Sequence, residues 1–137
     1  MHRTFLVDSN VLIDVLSEDA TWFDWSSATL AWAANRGIVA IDPIIYAEVS
    51  IAFDTIEDLE IALPRDAFPR LPLPLEAAFL AGKAFVRYRK VGGVKRSPLP
   101  DFYIGAHAAV ASMTLLTRDA SRYRSYFPGL NVIAPGG

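Results

Sequence analysis

The sequence predicts a single α/β domain with a mostly parallel central sheet flanked by helices. Two observations predict it. Short apolar runs fit for burial recur along the chain, and stretches long enough for helices lie between them; that alternation gives a parallel sheet wrapped by helices. The chain, 137 residues of which 53% are hydrophobic, is long enough to bury a substantial core without staples, so one domain over 1–137 is expected. No repeat, low-complexity tract or linker divides it.

Five runs read as strands: "TFLVD" (4–8), "GIVAI" (37–41), "AFPRLPL" (67–73), "MTLLT" (113–117) and "NVIA" (131–134). The third is the least regular, because Pro69, Pro72 and Pro74 confine it to an edge or shorten it. Residues 10–17 and 21–36 read as a helical hairpin, with Trp22, Phe23, Trp25, Leu30 and Trp32 as apolar surface. Residues 44–53 and 55–62 form a second helical pair, and Thr55 followed three residues later by Asp58 resembles a capping box with Asp in place of Glu. The longest helix runs from about Leu75 to Val91, with Leu75, Ala78, Phe79, Phe85 and Tyr88 at helical spacing. Gly92 and Gly93 stop it. Pro98 and Pro100 then introduce a helix at Asp101.

Cysteine is absent, which excludes disulfide scaffolds and cysteine-rich zinc sites and favours a reducing cytoplasm. Asp8 and Asp14 interrupt the first apolar stretch, and no uncharged segment approaches the ~18 residues that span a bilayer. A soluble, cytoplasmic protein without a membrane segment is the expectation.

The formal net charge of -2 is unevenly laid out. Residues 1–82 hold four Lys/Arg against thirteen Asp/Glu, whereas residues 83–124 hold nine Lys/Arg and only Asp101 and Asp119. A basic region on an acidic protein suits a polyanion such as nucleic acid; a solvated cationic face is the plainer alternative.

"FLVDSNVLID" (5–14) carries the first chemical signal, a carboxylate at the exit of a buried strand. In an open parallel sheet the C-terminal strand ends share one edge, where ligands bind at the point of strand-order reversal. Asp8 and Asp119 fall at that edge, Asp101 reaches it from the first turn of a helix, and Glu48 reaches it if it lies about a turn into its own. Singly, each acid has an ordinary explanation as a cap, a first-turn acid or an exposed helix residue. Together, four converging carboxylates repel one another unless a cation compensates. Oxygen ligands favour Mg²⁺ or Mn²⁺, which can activate water and support phosphodiester cleavage. The two histidines, His2 at the first strand's start and His107 two turns into the Asp101 helix, read as structural, so metal-free cleavage by paired histidines fits poorly.

At these residues the chain resembles the PIN-domain ribonucleases, and more narrowly the VapC toxins of bacterial toxin–antitoxin pairs. "VDSNVLID" matches the opening motif at Asp8, Ser9 and Asn10, "YAEVS" the second acid at Glu48, "LPDFYIGAHA" the third at Asp101, and "LLTRDASRYRSYFPGLNVIAP" the closing segment with Thr117 and Asp119. The resemblance spans essentially the whole chain. It implies a PIN-like sheet of about five parallel strands, an endoribonuclease dependent on Mg²⁺ or Mn²⁺, a homodimer, and a VapB-like antitoxin that blocks the site. Asp8, Glu48, Asp101 and Asp119 would be the acidic metal site, and Asn10 and Thr117 would orient ligands or waters. One departure stands out: where many members carry an acid followed by phenylalanine, this chain has Arg122 and Tyr123.

Other functions are disfavoured by particular residues. A haloacid dehalogenase-like phosphatase would want an aspartate where Asn10 stands, and a receiver domain a lysine beyond Asn131. A non-catalytic nucleic-acid-binding module, its acids serving as caps, is the third alternative. Arg118, Arg122 and Arg124 flank Asp119, while Arg87, Arg89, Lys90, Lys95 and Arg96 precede Asp101; both groups are candidates to grip RNA phosphates. Trp22 and Trp25 are either core or aromatic anchors for the antitoxin.

Overall fold

Four parallel strands make the sheet among the residues that the computed structural model describes, 3–136. They are β1 (Arg3–Val7), β2 (Gly37–Ala40), β3 (Thr114–Leu116) and β4 (Val132–Ile133), in the order β2-β1-β3-β4. His2 lies outside the described residues. The chain leaves β1 on one side to make β2 and returns on the other as β3, so strand order reverses between the two central strands. Val7 is in register with Leu116, and the Asp8 amide donates to the Leu116 carbonyl at 2.8 Å. Residue 8 and residue 117 therefore leave the sheet side by side, at the edge where α/β folds bind ligands.

The expected fifth strand, 67–73, is a correction. It makes one parallel bridge, Arg70 beside Ile41, held by Ile41 N–H to the Pro69 carbonyl and Leu71 N–H to the Ile41 carbonyl. Pro69 and Pro72 have no N–H to extend that ladder, so pairing stops after one rung.

Seven helices complete the described chain: α1 (Ser9–Leu16), α2 (Phe23–Ala34), α3 (Pro43–Ser50), α4 (Ile56–Ala62), α5 (Leu75–Lys90), α6 (Pro100–Val110) and α7 (Ser121–Tyr126). Their ends follow local chemistry. Asp42 caps α3 by accepting from Ile45 N–H at 2.9 Å, with Pro43 in the first turn, and Thr55 caps α4 by accepting from Asp58 N–H. After α5, Gly92 takes a φ of +95°, the left-handed conformation that ends helices without a Cβ penalty.

The main core lies between the sheet and α1, α2 and α3, with Phe5, Leu6, Leu12, Ile41, Ile45, Leu115 and Leu116 fully buried. A second cluster joins α5, α6 and α7 through Ala77, Ala81, Ala84, Phe102, Ala106 and Phe127. The face of α5 differs from the expected one. Leu75 and Phe79 point to solvent, and the helix buries its alanine row instead, with Phe85 and Tyr88 partly covered at its flank. Small side chains let α5 and α6 pack closely, which large ones at those positions would prevent. No helix among the described residues is long and apolar enough to cross a membrane.

Candidate active site

Asp8 follows β1 and is 4% exposed. One carboxylate oxygen, Oδ1, accepts from the Ser9 N–H at 2.8 Å. The other, Oδ2, accepts from the Thr117 hydroxyl at 2.9 Å and the Tyr123 hydroxyl at 2.8 Å. Burial raises the carboxyl above its ordinary value despite these donors, and the charge of Asp101 adds to the rise.

Glu48 sits in the second turn of α3 and is half-buried, its Oε1 accepting from the Ser9 hydroxyl at 2.9 Å. Burial raises this carboxyl too, helped by the charges of Asp8, Asp101 and Asp42, while the Ser9 hydrogen bond opposes. Asp101 opens α6. Its Oδ1 lies 3.4 Å from the Tyr123 hydroxyl, and its Oδ2 takes an ion pair from Arg122 at 3.3 Å. Three of the four expected acids thus come together, with the charge of Asp101 felt by both Asp8 and Glu48. Asp119 stands at the rim. It shares a shallow pocket with Asp101, Arg122 and Tyr88, but its carboxylate is turned to the N–H and hydroxyl of Ser121, as a turn-capping group does.

Thr117 and Asn10 tie the two central strand exits together. The Thr117 hydroxyl, fully buried, donates to Asp8 and accepts from the Asp119 N–H at 3.2 Å; the Asn10 side chain donates to it at 3.4 Å and accepts from the Arg118 N–H at 3.1 Å. Behind the site His107, 2% exposed, holds Asp42 through Nδ1 at 2.9 Å and so fixes α6 against α3, the structural role expected of it.

The expected cationic groups divide. Arg118 is committed to Asp14, a buried carboxylate that it meets at 2.8 and 3.1 Å, and its guanidinium lies over the Trp22 ring at 5.5 Å. Arg122 pairs with Asp101. Arg87 donates to the Tyr126 carbonyl and Arg89 to the Lys95 carbonyl, which folds the 92–97 segment against the end of α5. Lys90, Lys95, Arg96 and Arg124 are exposed. Trp22 and Trp25 are half-buried; Trp25 and Trp32 line an apolar depression with Ala28, Thr29 and Ile133.

Among the described residues, no three Asp, Glu or His side chains stand close enough together to grip one ion as placed. Mg²⁺ asks for less, because it keeps several waters and takes only one or two carboxylates directly. Hard oxygen donors whose charges repel one another, the carboxyls of Asp8 and Glu48 both raised by burial and by their acidic neighbours, fit such a cation. Two residues of the site escaped the motif reading. Asp42 shows only a helix-start signal, Asp followed by Pro, and Tyr123 shows only as a departure from a family pattern.

Residues 5–127 match the model of the PIN domain family, and the chain belongs to that family. PIN domains are nucleases that generally use divalent metals. The fold is shared with solved structures of toxin–antitoxin complexes. One chain of VapBC2 from Rickettsia felis, solved bound to a DNA fragment from its promoter, superposes with a TM-score of 0.74 over 96% of this chain and 98% of its own, at 17% identity. FitAcB from Neisseria gonorrhoeae gives 0.67 over 94% and 96%, at 21% identity, and a toxin–antitoxin complex from Klebsiella pneumoniae gives 0.64 over 95% and 96%, at 26% identity. No curated protein matches the chain in sequence.

Proposed function

We propose that the chain is a metal-dependent endoribonuclease acting as the toxin of a toxin–antitoxin pair. The observation that carries this reading is the buried Asp8 carboxylate at the strand-order reversal, facing Glu48 and Asp101. Asp8, Glu48 and Asp101 would hold Mg²⁺ or Mn²⁺, with Asp119 contributing from the rim. When bound, such an ion supplies positive charge to a phosphodiester and makes a water a better nucleophile. Ser9 and Thr117 orient the carboxylates, and Asn10 holds Thr117 in place, which keeps the carboxylate oxygens from turning away. The test is incubation of purified, antitoxin-free protein with total RNA, and separately with DNA, in Mn²⁺ or in EDTA, followed by mapping of the ends. RNA cleavage that needs Mn²⁺ is expected; cleavage undiminished in EDTA, or confined to DNA, rejects the reading.

RNA would approach across the exposed cations near Asp101, with specificity from shape and the 92–97 loop. Converting Arg89, Lys95 and Arg96 together to alanine should weaken RNA binding and make its salt slope shallower by about 2. An unchanged affinity and slope would return this cluster to the role of a solvated face.

Two partners complete the proposal, a second copy of the chain and a VapB-like antitoxin. The outward row Leu75, Phe79 and Val86 on α5 is apolar surface of the kind a homodimer covers. For the antitoxin, Trp22 and the Trp25 depression would supply aromatic anchors for a helical or extended segment that goes on to block the acids. Trp22→Ala and Trp25→Ala should each raise the antitoxin-peptide concentration needed for inhibition by about tenfold, the loss of one modest anchor. Wild-type inhibition in both folded variants would locate the partner elsewhere.

A further inference from the structure

Tyr123 is 1% exposed, yet its hydroxyl reaches the two carboxylates at the centre of the site, Asp8 at 2.8 Å and Asp101 at 3.4 Å. A phenol has one proton to donate. The shorter contact and the absence of any other role for that proton assign it to Asp8, leaving the phenol oxygen beside Asp101 as the group that sets how near the two acids come.

The packing that brings it there is specific. Gly105 lies one turn after Asp101 on the same face of α6, and a Cβ at Gly105 would stand 3.0 Å from the Tyr123 ring and 2.6 Å from the Phe127 ring. The absence of a side chain at 105 therefore lets the α7 aromatics lie directly on α6. The ring docks at residue 105 and its hydroxyl extends along the helix to Asp101. On the other side the hydroxyl shares Oδ2 of Asp8 with Thr117, so the segments after β1 and β3 meet α7 at that oxygen, and Tyr123 carries the contact on to α6.

We propose that Tyr123 is a positioning residue for the cation: its hydroxyl fixes the orientation of Asp8 and the Asp8 to Asp101 spacing on which divalent-ion binding depends. A phenylalanine at the same place would fill the same space with the same ring and leave Asp8 held by Thr117 and Ser9 alone. Groups that orient metal ligands in this way typically contribute ~10-fold to 100-fold in metal affinity.

This inference rests on the metal reading above, and one experiment separates the two. Mn²⁺ is titrated calorimetrically into the metal-free wild type, Tyr123→Phe and Tyr123→Trp, with thermal unfolding of each run alongside. Wild type should bind Mn²⁺, and Tyr123→Phe should bind it ~10-fold more weakly while keeping its unfolding cooperative. RNA cleavage by the Phe variant should recover towards the wild-type rate when Mn²⁺ is raised, which a general packing defect would not allow. Wild-type affinity in a folded Tyr123→Phe overturns the positioning role and leaves the metal reading standing. Failure of the wild type itself to bind Mn²⁺ overturns the metal reading and this inference with it. Tyr123→Trp removes the hydroxyl and overfills the pocket; Mn²⁺ affinity equal to wild type in that variant also overturns the proposal.

Discussion

Asp8→Asn is expected to lower metal-supported RNA cleavage by ~100-fold or more, because one carboxylate's share of the charge that holds the cation is worth a few kcal/mol. The substitution is nearly isosteric and its hydrogen bonds can be met. The new amide oxygen can accept from Ser9 N–H, and the amide NH₂ can donate to the Tyr123 hydroxyl, which rotates to accept, while the Thr117 hydroxyl can turn its proton to the Asp119 carbonyl. The fold should therefore survive, and the metal-free variant should be more stable than wild type near neutrality. The sign follows from the raised Asp8 carboxyl. A carboxyl that binds its proton more tightly in the folded state contributes no penalty in acid, where both states are protonated. The penalty grows as pH rises from the ordinary value of 3.8 through the raised folded value, and is complete above it. Asp8→Asn lacks that penalty. Its melting temperature should match wild type in acid and exceed it near neutrality, a difference that Mn²⁺ should shrink by stabilising wild type. Undiminished cleavage by the variant, or a stability gap that is largest in acid, would refute this account of the site.

Arg118→Ala should destabilise the protein by about 2–3 kcal/mol, most of it from leaving Asp14 buried with a single hydrogen bond. Asp14 is 1% exposed and is satisfied by the Ser26 hydroxyl at 2.7 Å and by two nitrogens of Arg118. Arg118 is about one-third exposed, so solvent screens part of the pair and the expected loss is smaller than for a fully enclosed one. For a chain of this length the melting temperature should fall by roughly 10 °C. Thermal unfolding of Arg118→Ala, Asp14→Ala and the double variant measures the coupling directly, and the double should lose less than the sum of the singles. If Arg118 served only to bind RNA phosphates, its removal would leave the melting temperature unchanged and weaken RNA binding in a salt-dependent way. A combined result, lower stability with an unaltered RNA salt slope, is what the geometry supports.

Much of this site is legible in the sequence because its key residues occupy strand ends. Asp8 and Thr117 close apolar runs, and parallel pairing of β1 with β3 brings any two such residues together. Glu48 follows from its distance along α3, and the Thr55 cap of α4 from a local motif. What the sequence conceals is non-local or small. The buried face of α5 is made of Ala77, Ala81 and Ala84, whose weak hydrophobic signal is outweighed by Leu75 and Phe79 on the opposite side. The proline-rich 67–73 segment has strand-like composition but lacks the N–H groups to pair beyond one bridge. Arg118 and Asp14 are 104 positions apart, and their pairing depends on how α1 crosses the end of β3. Tyr123 looks like a conservative departure from phenylalanine until the close approach at Gly105 shows where its hydroxyl goes.

The bond between Thr117 and Asp8 spans 109 residues, and that between Tyr123 and Asp8 spans 115. During synthesis the first acid therefore leaves the ribosome long before the two hydroxyls that hold its Oδ2. A nascent chain ending before β3 has the Asp8 carboxylate but neither central strand pair nor hydroxyl partners, and closing so long a loop must precede any reward from it. Assembly of the acidic centre therefore waits until residues 114–123 have been made. Premature termination or trimming upstream of residue 114 yields fragments in which this acidic centre is not assembled.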